Sequence, residues 1–419
     1  MEKLNEKSFA ELGIRKTEET KKLIIGKKKI VRPVFEIPLR HLKYNKNNGR
    51  IFFQMYSLKK KEQNDFDKYS IEQYNEEIEA LIWESNIEKN EKTKTSISEY
   101  GQMEAGVVLP DGTVIDGNRR FTCLRQLSRE KPEDESYQFF RAAILDKESE
   151  DLSITDKDIR KFELTVQFGQ EEKVDYSSLN KALSCYNDIE ENDFSYAEMA
   201  DLINEKQYNI VKMVRTVKLV KEMLNFINAP DDYQLAEEMK IYFALEPLAQ
   251  YLPKIENKES ETEIEEKKNI YFSYLFGVRF DLPTQSLRDK LIKKIFKDPD
   301  EYKKLKDAFD NEHSEILEDK VSELKELDSS DRMDKIKEIK QSDLAKDMRK
   351  SFDTIIRRVD MKKNAERPRE ILNGVLESLN ELNLTPFLEA GAEEQLDPLK
   401  PLLQNVEEKL QEIKKELEQ

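Results

Sequence analysis

Asp116-Gly117-Asn118-Arg119-Arg120 places two adjacent arginines directly after a glycine. A guanidinium is permanently charged, and its fork of N–H donors matches the oxygens of a phosphate. Glycine lets the backbone turn sharply and approach a ligand closely. If a helix begins here, its first N–H groups have no intrahelical partner and favour an anion. Together these features predict that Gly117, Asn118, Arg119 and Arg120 grip a phosphate chain. Asp116 suits a turn or a helix cap as well as it suits a nucleotide or metal contact. The competing reading, two surface arginines paired with carboxylates, is outweighed by the coupled spacing.

The flanking residues supply the elements that must hold this segment. Val107-Val-Leu109 and Thr113-Val-Ile-Asp116 read as strands joined by a Pro110-Asp111-Gly112 turn, and Asn118–Leu127 reads as a helix. Ile30–Leu39 predicts an edge strand punctuated by Pro33 and Pro38. Leu42–Arg50 is a turn-rich loop that ends on a further arginine, Arg50. Residues 66–100 predict one or two helices with a polar break at Glu88–Thr95, and Phe139–Leu145 predicts another strand. Residues 1–29 are polar, end in Lys27-Lys28-Lys29, and read as a short helix with a solvated tail.

Residues 157–224 predict helices. Ser195 followed by Glu198 is a capping box opening a short helix. After a break at Glu205-Lys206, Met213, Val217, Val220 and Leu224 share one face of a longer helix, with Lys212, Arg215, Lys218 and Lys221 off it. Short helix, turn and longer helix is the outline of a helix-turn-helix. Such a helix would present Gln207, Tyr208, Asn209, Lys212 and Arg215 to a nucleic acid. Ala229-Pro230-Asp231-Asp232 marks a boundary. Beyond it, the charged runs 255–269 and 311–350 read as solvated helix or loop, the second as one long exposed helix. Leu403, Val406, Leu410, Ile413 and Leu417 form a seam of about two heptads, which fits dimerisation or packing on its own domain.

The 419 residues are enough for two or three domains. Only 11 are Gly and 38% are charged, which favours a mostly helical protein. The net charge is −16, which excludes a polycation that coats nucleic acid, yet residues 1–60 hold 16 Lys and Arg against 6 Asp and Glu. A local basic face can therefore still meet DNA. Two cysteines and two histidines exclude a disulfide scaffold and a Cys/His zinc site. No apolar run reaches a membrane span, and a cytoplasmic protein is expected.

Over roughly residues 30–225 the order of these elements resembles the ParB/sulfiredoxin superfamily, and within it ParB-like proteins with a helix-turn-helix. The likeness rests on Phe35–Arg50, on the Gly101–Leu109 strand approach, on Asp116–Phe121 as the family's Gly-x-Arg-Arg motif, and on the run from Gln170 through Asp175, Leu179 and Ala182. It implies an α+β fold: a small mixed-sheet nucleotide-binding domain (30–156) after a polar extension (1–29), a helix-turn-helix domain (157–228) and a large all-helical region (229–419). It implies a nucleoside triphosphate, CTP or ATP with Mg2+, on Gly117, Arg119 and Arg120, with Arg50, Gln170 and Lys173 as further contacts, and DNA as a partner. Asn118 stands where ParB proteins are usually acidic and where sulfiredoxins carry their cysteine, so peroxiredoxin repair is not expected. The helical C-terminal region is longer than a partition protein's dimerisation module, which suits a diverged member from a mobile element or an anti-phage defence locus. The expected function is a nucleotide-gated DNA-binding switch. The alternatives are an NTPase, phosphotransferase or nuclease using Asp116 or Glu104, and a protein-partner regulator with a vestigial pocket.

Overall fold

The computed structural model describes residues 4, 9–26, 28–45, 48, 51, 54–55, 69–146, 154–169, 177–277, 288–312, 314–385 and 397–417. The fold is α+β, with a six-stranded mixed sheet near the N-terminus and helices thereafter.

A single turn, α1 (Phe9–Leu12), leads into β1 (Arg15–Ile25), which pairs antiparallel with β2 (Lys28–Pro38). The expected tail is therefore half of a hairpin. Along β1, residues Thr17, Glu19, Lys21, Leu23 and Ile25 alternate inward, but the first three are polar, so no hydrophobic period betrays the strand. A second correction follows, because β2 is paired on both sides and β1 takes the edge. Pro33 is tolerated inside β2 opposite Thr20, where the ladder slips between Lys16 and Thr20.

Next come β3 (Lys43–Tyr44), α2 (Ile71–Ser85), α3 (Ile87–Tyr100), β4 (Gly106–Val108), β5 (Thr113–Asp116), α4 (Asn118–Glu130) and β6 (Phe139–Ile144). The sheet order is β1-β2-β6-β4-β5-β3, with β4/β6 and β3/β5 parallel and the other pairs antiparallel. The break between α2 and α3 falls at Asn86, earlier than the expected Glu88–Thr95, because the Asn86 side chain accepts from Lys89 N at 3.1 Å and caps α3. One core layer joins Phe35, Ile37, Tyr44 and Phe140 of the sheet to Ile78 and Ile82 of α2, Ile97 of α3 and Phe121 and Leu124 of α4. The other joins Leu23, Ile25, Val107 and Ile115 to Ile159 and Phe162 of α5 (Asp156–Gly169). The sheet is thus covered on both faces.

The helical part continues with α6 (Ser178–Glu191), α7 (Tyr196–Leu202), α8 (Gln207–Phe226), α9 (Tyr233–Glu238), α10 (Ile241–Tyr251) and α11 (Glu261–Gly277). A π-helical segment (Arg288–Phe296) precedes α12 (Pro299–Glu312), α13 (Ser314–Ser322), α14 (Ser329–Gln341), α15 (Asp343–Asn380) and α16 (Leu399–Leu417). The charged run 311–350 is not one exposed helix. It is broken into several, and Leu317, Val321, Ile336, Ile339, Ala345 and Met348 are buried. Each helix there hides an apolar stripe narrower than its charged face, which composition alone averages away.

Two compact units divide the chain, Met1–Asp353 and Thr354–Gln419. In the second, Ile371, Leu376, Leu402, Leu403, Val406 and Leu410 are exposed, and no described residue of α16 is buried. The Leu403–Leu417 seam forms a helix as expected, with Leu403, Val406, Leu410 and Leu417 exposed and Ile413 half-buried. No described helix is long and apolar enough to cross a membrane.

Candidate functional site

Asp116 ends β5, and Gly117 turns the chain into α4 with φ +98°, a left-handed conformation that favours glycine. A Cβ on Gly117 would lie 2.9 Å from Phe140 Cζ and 3.2 Å from Arg120 Nη2, so the position is closed to other side chains by space as well as by backbone. Gly106 plays the matching part on β4, where a Cβ would meet Phe140 at 2.4 Å and the Asp116 carbonyl at 2.6 Å. No side chain caps α4, and its first turn has no acidic residue. The helical ladder begins with Phe121 N donating to Gly117 O at 2.9 Å, which leaves the N–H groups of Asn118, Arg119 and Arg120 ahead of it. An uncapped helix start of this kind carries partial positive charge.

The two arginines engage different neighbours. Arg119 Nε donates to Asn90 Oδ1 at 2.8 Å, and the buried Asn90 in turn holds the carbonyls of Ile82 and Trp83 at the α2–α3 junction. Arg120 donates to the Glu104 carbonyl at 2.6 Å and to Asp116 Oδ1 at 3.1 Å, with the exposed Glu104 carboxylate 3.5 Å away. Asp116 is shared. Its second oxygen accepts from Lys21 Nζ at 3.2 Å, and Lys21 also donates to the Ala105 carbonyl. Asn118 is buried at 6% exposure. Its Nδ2 donates to Val114 O at 3.1 Å, while its Oδ1 has no hydrogen-bond partner. Behind α4, Tyr44 Oη and Thr122 Oγ1 lie 2.8 Å apart, and the Cys123 thiol is pushed up to about 12 by burial. Cys123 is fully buried in the core.

Arg50, Gln170 and Lys173 lie outside the described residues. The sequence reading missed Lys21, whose alternation partners on β1 are themselves polar. It also missed a buried chain of polar side chains that starts at Asn45, directly after β3. Asn45 donates to Glu163, Glu163 pairs with Arg160 at 2.8 Å, and Arg160 grips both oxygens of Asp188 at 2.8 and 3.0 Å. Hydropathy patterns carry no signal for such a chain.

The helices α7 and α8 form the expected pair, and Ser195 and Glu198 make the capping box. Asp188 O accepts from Phe194 N at 3.1 Å, which ties the buried chain to the residue just before α7. At the start of α8, Gln207 and Tyr208 are exposed, Tyr208 at 65%, and Asn209 donates to Glu205 at 2.9 Å. Arg215 is exposed, but Lys212 is held by Glu246 of α10 at 2.8 Å, and Lys218 by Glu190 at 2.8 Å.

No family model matches the chain, and no curated protein matches it. Among solved structures, it is similar to the C-terminally truncated chromosome-partitioning protein ParB from Caulobacter crescentus complexed with CTP-gamma-S, at 14% identity over 46% of this chain and 83% of that one, with a TM-score of 0.19. It is also similar to the same truncated protein complexed to the centromeric parS site, at 15% identity over 55% of this chain and 96% of that one, with a TM-score of 0.26. Likeness at this level carries no functional argument by itself.

Proposed function

We propose that the protein is a ParB-like nucleotide-gated DNA-binding switch: it binds a nucleoside triphosphate, CTP or ATP, at the start of α4, and the bound nucleotide biases the α7–α8 pair toward or away from DNA. The observation that carries this reading is the uncapped α4 N-terminus on left-handed Gly117, with Arg119 and Arg120 in its first turn. The backbone N–H groups of residues 118–120 would meet phosphate oxygens, and the two guanidinium groups would neutralise them from either side. Asn118 Oδ1, buried and without a partner, offers an acceptor at the same turn for a hydroxyl or amino group of the ligand. Among the described residues no three His, Cys, Asp or Glu side chains gather to hold a metal, so Mg2+ would be carried by the phosphates themselves.

For the nucleotide to act as a switch, it must bind two arrangements of the protein with different affinity. The buried chain from Asn45 to Asp188 connects the end of β3 with the scaffold of α7, and would be one element for such a bias to act on. The test is a thermal-shift screen of the full chain with CTP, ATP, GTP and UTP plus Mg2+, beside Arg119→Ala. At least one nucleotide should raise Tm in the wild type and lose that effect in the variant. No shift with any of them, at concentrations up to millimolar, refutes the nucleotide reading.

A further inference from the structure

Lys21 lies outside the part of the chain on which the phosphate site was read, yet the fold carries its ammonium group to the heart of that site. It sits on the inward face of β1, where Leu23 and Ile25 continue into the core. Its side chain is 22% exposed, and Nζ reaches Asp116 Oδ2 at 3.2 Å and the Ala105 carbonyl. Arg120, 18% exposed, takes the other oxygen of Asp116 and the neighbouring Glu104 carbonyl. Two cations thus share one carboxylate that is itself only 10% exposed. Among the described residues Arg120 also meets the Glu104 carboxylate, which is 80% exposed and screened by water. Within this part-buried trio two cations face one carboxylate beside the positive pole of α4. Partly buried charge of one sign is costly unless an anion balances it, so the arrangement favours a further anion.

We propose that Lys21 is a third cationic contact for the phosphate chain, and that Asp116 is an internal counterion which holds Lys21 and Arg120 in place until a phosphate takes over part of its role. The proposal rests on the nucleotide reading above. Adjacent carbonyls, those of Glu104 and Ala105, anchor the two cations from behind, so both stay in position when the carboxylate is partly displaced. On this account the Asp116 charge opposes the ligand it helps to organise. Removing that charge while keeping the shape strengthens phosphate binding, the opposite of what a metal-holding or phosphate-bridging carboxylate would show.

The experiment is isothermal titration of the full chain with Mg2+-CTP, Mg2+-ATP and metal-free tripolyphosphate, across several salt concentrations. Lys21→Met keeps the aliphatic stem and removes the charge. It should weaken tripolyphosphate and triphosphate binding about tenfold and lower the salt dependence, as loss of a single charge-assisted contact does. Lys21→Arg should restore most of the affinity, and Asp116→Asn should bind tripolyphosphate several-fold more tightly than the wild type. Circular dichroism melts of the ligand-free variants keep the result readable if one of them folds poorly, since Asp116→Asn alone separates the two accounts of the carboxylate. Unchanged affinity in Lys21→Met beside loss in Arg119→Ala overturns the Lys21 assignment and leaves the nucleotide reading standing. Weaker binding in Asp116→Asn overturns the counterion role. A wild type that takes up none of these ligands overturns both.

Discussion

Asn45 Nδ2 donates to Glu163 Oε1 at 2.5 Å, joining the residue after β3 to the middle of α5 across 118 positions of sequence. Both are buried, and Glu163 passes the contact to Arg160 and then to Asp188, which is fully buried. Removing one partner of a buried ion pair costs about 3–5 kcal/mol, here an upper limit because Arg160 keeps Glu163. Asp188→Ala should therefore lose at most roughly that much unfolding free energy in urea, and Asn45→Ala about 1–3 kcal/mol, the cost of an unsatisfied buried acceptor. Losses below about 1 kcal/mol for Asp188→Ala would show that water replaces the pairing.

Gly117 is the position where the site tolerates least change. Gly117→Ala must either adopt a left-handed φ at about 1–3 kcal/mol or displace Phe140 and Arg120. A lowered midpoint in thermal unfolding, together with loss of any nucleotide-induced shift, is the expected pair of results. A variant as stable as the wild type would mean that the turn relaxes without strain.

Both thiols are predicted to be inert in the native protein. Burial pushes Cys123 and Cys185 up to about 12, so neither forms thiolate at neutral or mildly basic pH. Titration with a chromogenic disulfide at pH 8 should find almost no reactive thiol until urea is added, when two should appear. Fast reaction of either cysteine in the folded state contradicts the packing around α4 or α6.

Glu198 gives the α7 start its pH dependence. Backbone hydrogen bonding at Ser195, aided by Lys157 and Lys161, lowers its carboxyl to about 2. A depressed carboxyl contributes stability that is complete above its ordinary value near 4.5 and is lost as pH falls from there toward 2. Because the group is 35% exposed, solvent screens it and the effect is modest, and Ser195→Ala should cost about 0.5–2 kcal/mol at neutral pH. Urea titrations of wild type and Glu198→Gln should converge as pH is lowered through that window, and a gap that stays constant would assign the effect elsewhere.

Lys212 is engaged by Glu246, so its charge is partly spent inside the protein. Glu246→Gln should release it and steepen the salt dependence of DNA binding by roughly one phosphate contact, a slope change of about 0.9. Fluorescence anisotropy on a labelled duplex at several salt concentrations measures this. Arg215→Ala should flatten the slope by a similar amount. Equal slopes in all three proteins would remove the α8 face from the DNA interface.

What could be read from the sequence depended on whether a segment buries apolar or polar groups. The strand–turn–strand–helix around Pro110 and Gly117 was legible because Val107, Val114, Phe121 and Leu124 enter the core with regular spacing. So was the α7–α8 pair, through the Ser195 cap and the Val217–Leu224 stripe. β1 was not, since Thr17, Glu19 and Lys21 turn inward to meet Val34, Arg141 and Asp116 and therefore imitate a solvated tail. The arginine pair was legible as a pair, but its division between Asn90 and Asp116 depends on residues that are neighbours only in space.

The hairpin formed by β1 has a bearing on how the protein can be cut. A fragment trimmed to begin at residue 30, where the family likeness starts, would strip the outer row of hydrogen bonds from β2 and leave its amides and carbonyls as an open template for other chains. Val31, already 55% exposed, would sit on that raw edge beside Val34, now fully buried. Such a fragment is expected to aggregate, and any collapse of function in it would report a torn sheet before it reported a missing ligand.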